Sequence, residues 1–198
     1  MTSLRHNRSA ADARDDYLDA ARDCILDVGW RRSTLTEVAR RAGVSRMTIY
    51  RTWTDMNQLL GDLMTREWTQ VAATTHQGDG LPGSRADLAR TMVRLVGALR
   101  SNDLFVRIVE LDPELLLTYL LARRGRSQEA LIAVLAEAVR HGQAGGWVRA
   151  GNPVLIARGL VLAGHGHVMS AQTMLDDDIS LTDLDSELTL LVERTLAP

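Results

Sequence analysis

The 198-residue chain has one cysteine, one phenylalanine, four prolines and no lysine. A single cysteine excludes an internal disulfide, and Cys24 falls on a helical stripe of apolar residues, which favours a packing role over redox sensing. Because every one of the 23 basic residues is an arginine, chemistry that needs a lysine amine is excluded. There is no uninterrupted run of 18 apolar residues and no signal-peptide core, so we expect a cytoplasmic protein with no membrane partner.

The sequence also has little that would support catalysis. It contains no nucleophile elbow, no Walker loop and no dinucleotide fingerprint. His165 and His167 lie two residues apart, so on a helix they point to different sides, and no cysteine or acid stands beside them at ligand spacing. The acidic run 176–178 is typical of a solvated loop. We predict a protein that is not an enzyme and that needs neither cofactor nor metal.

The apolar positions repeat at helical spacing along the chain, with no convincing two-residue alternation. We therefore predict an all-α fold of about nine to ten helices. Asp112-Pro113 and Asn152-Pro153 each have the order of a cap followed by a proline, which favours a helix start at both places.

Residues 33–53, with the sequence STLTEVARRAGVSRMTIYRTW, predict two short helices joined by a glycine turn. The T-x-x-E pattern at residues 34–37 is that of a capping box, which fixes the start of the first helix. Gly43 supplies the permissive backbone that ends a helix, and Ser45 is a good N-cap for the next one. This arrangement is that of a DNA-binding helix-turn-helix.

Charge is concentrated on the same segment. Six arginines stand between residues 31 and 51 against one acid, Glu37, a local charge of +5 in a chain whose net charge is −2. Ile49 and Trp53, four residues apart, should face inward and leave the basic face of the second helix exposed. Such a patch suits a phosphate backbone. The alternative is a plain helical hairpin whose arginines are simply solvated.

With these motifs, residues 13–65 resemble the DNA-binding domain of the TetR/AcrR family of transcriptional regulators. The family pattern of T-x-x-x-(V/I)-A, A-G-V-S and T-(L/I)-Y-x-x-(F/W) is met by residues 34–39, 42–45 and 48–53. The resemblance implies contacts with phosphates and with the major groove. The residues expected to bind DNA are Thr36, Ser45, Arg46, Met47, Thr48, Tyr50, Arg51 and Thr52.

Two positions depart from the family pattern. Thr52 replaces the usual histidine before the aromatic residue, and Met56 replaces a lysine that would anchor phosphate. Arg51 could take over the lost anchor, since a guanidinium grips phosphate or guanine in bidentate fashion. These departures also favour an alternative: a helical ligand-binding or scaffolding protein with a degenerate DNA-reading head.

The length suits an N-terminal three-helix unit followed by a second helical domain. We predict a flexible arm at residues 1–12, a helix-turn-helix DNA-binding domain at 13–54, and a helical effector-binding and dimerisation domain at 55–198. The resemblance implies a repressor that a small apolar or amphipathic effector releases from its operator. The candidate pocket residues, each of which could instead belong to the core, are Met92, Val96, Phe105, Val109, Tyr119, Leu120 and Trp147.

The last two predicted helices are apolar enough to pair with the same helices of a second copy. Such a homodimer would present two recognition helices to a palindromic site in double-stranded DNA. The alternative is that both helices only complete the core of the monomer. The residues predicted for the dimer interface are Leu155, Gly159, Leu162, Gly166, Leu184, Leu188, Leu191 and Val192.

Overall fold

The computed structural model describes residues 10–75 and 80–198, and these contain ten α-helices and no β-strand. The predicted all-α class is therefore confirmed. Residues 1–9 of the predicted arm lie outside the described residues, and residues 10–12 belong to the first helix. The helices are α1 (Ala10–Val28), α2 (Leu35–Arg41), α3 (Arg46–Thr52), α4 (Met56–Thr75), α5 (Arg85–Arg100), α6 (Asp103–Leu111), α7 (Glu114–Leu117), α8 (Arg126–Ala144), α9 (Pro153–Ser170) and α10 (Leu181–Leu196).

The described residues separate into two compact units that do not follow the order of the chain. The first unit holds the described residues up to Arg66 and returns for Asp103–Arg123. The second unit holds the described residues of Glu67–Asn102 together with Arg124–Pro198. The chain therefore crosses between the units three times, and the first crossing lies inside α4. The division into functional domains at residues 54 and 55 remains a prediction.

The core of the first unit forms where α1, α2, α3, α4 and α6 meet. Cys24 has no exposed surface and packs in this core, as the sequence predicts. Trp53 is also buried, and its indole N–H donates to Asp62 Oδ2 at 2.6 Å. The ring of Tyr17 meets that of Trp53 edge-on, with 6.4 Å between centroids. These contacts hold the end of α3 against α1 and α4.

The core of the second unit lies between α5, α8, α9 and α10. At the end of α8, Trp147 folds back over Gly142, where a Cβ atom would come within 2.8 Å of the indole ring. Glycine at position 142 is therefore required by this close approach. The turn after it is fixed by Gln143, whose Nε2 donates to the carbonyl oxygens of Arg149 and Gly151, each at 3.0 Å.

Helix α9 begins as the sequence predicts. Asn152 Oδ1 accepts from the N–H of Val154 at 2.9 Å, and Pro153 is the first helical residue. Residues Pro153–Met174 are long and apolar enough to cross a membrane, but the core helix of a globular domain meets the same criterion. Ile156 and Leu160 are buried in the second core, so we assign α9 to that core.

The second predicted helix start is also present, since α7 begins at Glu114 directly after Pro113, but the Asp112 side chain does not act as its cap. Asp112 precedes Pro113 at the start of α7, but its side chain is directed to the turn after α1, where Oδ2 accepts from the N–H of Trp30 at 2.7 Å. The reason is a long-range contact: α6 packs on α1, which brings residue 112 to a backbone donor 82 positions earlier in the chain.

Candidate DNA-binding site

The helix-turn-helix is built from two capped helices and one left-handed glycine. Thr34 Oγ1 accepts from the N–H of Glu37 at 3.2 Å, which starts α2. Gly43 has φ +67°, a conformation that favours glycine, and turns the chain out of α2. Ser45 Oγ then accepts from the N–H of Thr48 at 3.2 Å and starts α3. The predicted helices and turn are present.

Glu37 organises the charge of α2. Its carboxylate accepts from Arg40 at 2.7 and 2.9 Å and from Arg41 Nε at 2.9 Å. These hydrogen bonds lower the pKa of Glu37 from 4.5 to about 2. Arg41 also donates to Asp27 of α1 at 2.5 Å, and the two acids raise the pKa of its guanidinium. Arg40 and Arg41 therefore hold α2 together and tie it to α1.

The six arginines of the basic segment divide into two groups of three. Arg40 and Arg41 bind acids of the first unit as described, and Arg31 pairs with Glu114 and lies 3.6 Å from Asp112. In the described part of the chain the other three form no ion pair; they are Arg32, Arg46 and Arg51, all exposed. The charge available to a polyanion is therefore smaller than the sequence count of +5 indicates, and two of its three sources lie on α3.

We call the exposed residues of α3 and its cap the reading surface, which consists of Ser45, Arg46, Met47, Tyr50, Arg51 and Thr52. Ile49 and Trp53 are buried in the first core, as predicted, and fix the face that α3 turns outward. Thr36 and Thr48 are half-buried beside it. The residues that the sequence analysis assigns to DNA are thus exposed or half-exposed on α2, α3 and the turn between them.

Thr52 and Met56, the two residues that depart from the family pattern, each contact neighbouring parts of the first unit. Thr52 Oγ1 lies 3.4 Å from the carbonyl oxygen of Thr48, one turn earlier in its own helix. Met56 begins α4 and packs, partly buried, against the core of the first unit. Position 56 therefore combines an apolar contact with access to solvent.

For Asp112 the sequence predicts only a place at a helix start. It is one of three polar or charged residues that are buried in the described part of the chain, the others being Ser33 and Glu67. Arg107 supports the same contact region, since its Nε donates to the carbonyl oxygen of Leu26 at 2.9 Å. The sequence around Asp112 shows only an aspartate before a proline. That pattern indicates a helix cap and does not indicate the contact with Trp30.

The seven pocket candidates are divided between the two units. Met92 and Val96 are buried in the second core, and a Cβ atom on Gly164 of α9 would lie 3.2 Å from Met92 Cε. Trp147 is half-buried at the edge of that core. Phe105, Val109 and Leu120 belong to the first unit, and only Phe105 of these is buried. The side chain of Tyr119 lies outside the described residues.

The dimer candidates are of two kinds. On α9, Leu155 and Leu162 are 68% and 71% exposed, and Gly159 and Gly166 lie on the same open face. On α10, Leu191 is exposed and Leu184 is half-buried, whereas two candidates, Leu188 and Val192, have no exposed surface. Those two residues pack in the second core of the monomer and offer no surface to a partner.

Each of the two histidines of α9 has a ring nitrogen close to a polar atom of another residue. His165 Nε2 lies 3.5 Å from Gln128 Nε2, and burial lowers the pKa of His165. His167 Nδ1 lies 3.0 Å from the carbonyl oxygen of Ala163. In residues 10–75 and 80–198, no group of three histidine, cysteine or acidic side chains is arranged to hold a metal.

Known proteins match this chain both over the helix-turn-helix segment and over nearly its whole length. Residues 18–63 match the family model described as bacterial regulatory proteins, tetR family. Over 190 residues the chain is 34% identical to an HTH-type transcriptional regulator of Mycobacterium tuberculosis, with 96% of each chain covered.

Solved structures share the fold. The transcriptional repressor QsdR of R. erythropolis, from the TetR family, has a TM-score of 0.68 at 16% identity, covering 95% of this chain and 96% of its own. The regulator FadR of Bacillus subtilis, solved in complex with stearoyl-CoA, has a TM-score of 0.62 at 16% identity, covering 92% and 98%.

Proposed function

This chain belongs to the TetR family of bacterial transcriptional regulators, and we propose that it is a cytoplasmic repressor released from its operator by a small-molecule effector. Membership makes it a DNA-binding regulator and not an enzyme. The observation that carries the assignment of the DNA contacts is the reading surface. Arg46 and Arg51 stand on it with no ion pair among the described residues, beside the exposed hydroxyl-bearing Tyr50.

In the proposed complex α3 lies in the major groove, where the first residues of a recognition helix meet base edges. Arg46 and Arg51 bind phosphate or guanine, since a guanidinium fits either in bidentate fashion. Ser45, Tyr50 and Thr36 bind the phosphate backbone, and Met47, Thr48 and Thr52 face the groove. The backbone contacts fix the position of the helix, and the base contacts supply the sequence preference.

The operator is a palindrome bound by a homodimer. The exposed face of α9 supports this proposal, because Leu155 and Leu162 are well exposed while glycines between and beyond them permit close approach of a second helix. From α10 the contributing residues are Leu184 and Leu191. A two-fold dimer presents two recognition helices to half-sites about one turn of DNA apart.

The effector is an apolar or amphipathic small molecule bound by the second unit. FadR of B. subtilis, which has the same fold, was solved with stearoyl-CoA, an amphipathic molecule of this kind. In one form of the dimer the recognition helices are wrongly spaced for the operator. An effector that binds this form more tightly lowers operator affinity, by an amount set by the difference in its affinity for the two forms. Helix α4, which continues from the first unit into the second, would transmit the change.

A second candidate is a regulator of the same family that responds to no effector. The burial of Met92 and Val96 against α9 favours it, because a ligand between these residues would have to open a filled core. A thermal-shift screen of acyl chains and acyl-CoA thioesters separates the two candidates. Stabilisation by a compound that also raises the operator Kd supports the effector, and stabilisation by none supports the second candidate.

The test of the DNA-binding proposal is fluorescence anisotropy with a duplex from the upstream region of the chain's own gene, measured across a salt series. We expect selective binding by one dimer per site, with a Kd that rises steeply with salt as counterions return to the phosphates. Equal, weak binding to this duplex and to random DNA would contradict an operator at that place. Selection from a random duplex pool would then decide whether the chain has any preferred sequence.

A further inference from the structure

Met47 is the large apolar side chain that α3 presents to solvent. It is 66% exposed, whereas Ile49 and Trp53 of the same segment are buried. Its exposure is not needed for the helix to form, since glutamine or lysine has nearly the same helix propensity as methionine. The chain therefore carries an uncharged, apolar side chain at a place in a basic surface where a polar one would fold equally well.

The neighbours of Met47 are the groups that we assign to the DNA backbone and bases. Arg46 precedes it, and Tyr50 and Arg51 follow three and four residues later, on the same side of the helix. Met47 is the second residue of α3, so it stands at the end of a recognition helix that meets base edges.

The nearby hydroxyl groups are already engaged within the protein. Ser45 Oγ and Thr48 Oγ1 lie 2.9 Å apart, and Ser45 Oγ also accepts from the N–H of Thr48. The Ser45 hydroxyl caps α3 and the Thr48 hydroxyl is hydrogen-bonded to it, whereas the Met47 side chain has no such role. At the start of the helix, Arg46 and Met47 are therefore the side chains best placed to read bases.

The edge of a base pair in the major groove carries hydrogen-bond donors and acceptors, with one apolar group, the C5-methyl of thymine. A methionine side chain has no donor and only a weak acceptor, so it matches that methyl group and none of the polar positions. We infer that Met47 contacts the C5-methyl group of a thymine in each half-site of the operator. This inference rests on the proposed function and names the base feature that the reading surface selects.

The expected effect follows from the burial of one methyl group. Removing a buried methyl changes a binding constant by about fourfold. A dimer makes the contact twice, so loss at both half-sites should weaken binding by about sixteenfold, provided that the two contacts are independent.

The test replaces thymine by deoxyuridine, which pairs with adenine as thymine does and lacks only the methyl group. Duplexes selected by the full-length protein from an unmethylated synthetic random pool provide the probes. Each thymine of the best duplex is replaced singly, and Kd is measured by anisotropy for wild type, Met47→Ala and Met47→Leu. Val134→Ala is the matched control, since Val134 is 62% exposed on α8 of the second unit.

We expect one thymine in each half-site at which deoxyuridine weakens wild-type binding about fourfold. The same replacement should leave the Kd of Met47→Ala unchanged, retain part of its effect in Met47→Leu, and retain all of it in Val134→Ala. Met47→Ala substitutes an exposed residue by the best helix former, so its fold is expected to survive, which circular dichroism checks.

Three results would overturn the inference. They are a uniform response to deoxyuridine along the duplex, an equal loss in Met47→Ala and wild type, or a selected half-site without thymine. In each of these the protein still binds a preferred sequence, so the proposed function stands. If the pool yields no enriched sequence at all, the proposed function fails together with the inference.

Discussion

The buried carboxylate of Asp112 accepts a hydrogen bond from the backbone N–H of Trp30 at 2.7 Å and so joins the end of α6 to the turn after α1. The turn is made by Gly29, with φ +81°, and a Cβ atom there would lie 3.0 Å from Leu111 Cδ1. Arg31 approaches the same carboxylate from the solvent side. The turn between α1 and α2 therefore depends on a segment that lies about 80 residues further along the chain.

Replacing Asp112 should destabilise the protein. In Asp112→Ala the N–H of Trp30, in a part-buried contact, loses its acceptor, which costs about 1–3 kcal/mol. Asp112→Asn keeps an oxygen that can accept the bond and should cost less. Urea unfolding measures both, and an Asp112→Ala variant as stable as wild type would show that the contact contributes nothing.

Stability should depend on the protonation of Glu37. Its pKa is lowered to about 2 in the folded protein by Arg40 and Arg41, from 4.5 when it is free of them. The unfolded state therefore binds the proton more readily, and the contribution of Glu37 is fully present above about pH 4.5 and is lost as pH falls toward 2. Urea unfolding between these pH values should show a smaller loss in Glu37→Gln than in wild type. An identical loss in both would place the dependence on other carboxylates.

The reading surface should tolerate substitution for folding and dimerisation but not for DNA binding. Arg46→Ala should weaken operator binding by about 1–3 kcal/mol, as expected for a guanidinium on a base or phosphate. Tyr50→Phe should also weaken it, through loss of one hydroxyl. Arg40→Ala is the matched control, because Arg40 is an exposed arginine already engaged with Glu37. Wild-type Kd values for both test variants, measured by anisotropy, would remove α3 as the reading element.

Met56→Lys should strengthen DNA binding. The aliphatic stem of lysine can keep the partial packing of Met56 on the first core while its ammonium group reaches solvent. One added phosphate contact per subunit should steepen the salt dependence of log K by about 0.9 for each half-site. Met56→Gln controls for loss of the methionine without a charge. If neither affinity nor salt slope changes in the lysine variant, another group already supplies this anchor.

Leu162→Glu should dissociate the homodimer. Leu162 is 71% exposed on α9, so a charge there costs the monomer little, whereas burial of an unpaired carboxylate in an interface costs several kcal/mol. Val134→Glu, on the exposed face of α8, should leave the dimer intact. Sedimentation velocity distinguishes these results, and a dimeric Leu162→Glu variant would exclude this face of α9 from the interface.

Much of the helix-turn-helix could be predicted from the sequence because its signals are local. The caps at Thr34 and Ser45 and the turn at Gly43 each involve residues within four positions of one another. Local rules of backbone geometry are sufficient for such features. The burial of Ile49 and Trp53 follows from the same short spacing.

Features that depend on distant partners could not be predicted in the same way. Arg41 is a basic residue on a basic helix, and only the packing of α2 on α1 brings it to Asp27. Leu188 and Val192 form a regular apolar stripe, but a stripe does not tell whether it faces the core of its own chain or a second copy. In both cases the missing information is the tertiary neighbour.

Because residues 103–123 belong to the first unit, the DNA-binding part of this protein cannot be separated by a single cut in the chain. Leu104 and Ile108 of α6 belong to the same core as Cys24 and Ile49, so a fragment ending near residue 66 would expose apolar surface that α6 covers in the full chain. The N-terminal helices therefore cannot simply be excised and fused to the effector-binding domain of another protein. A chimera that keeps the first unit must also include residues 103–123, inserted within the sequence of the other protein.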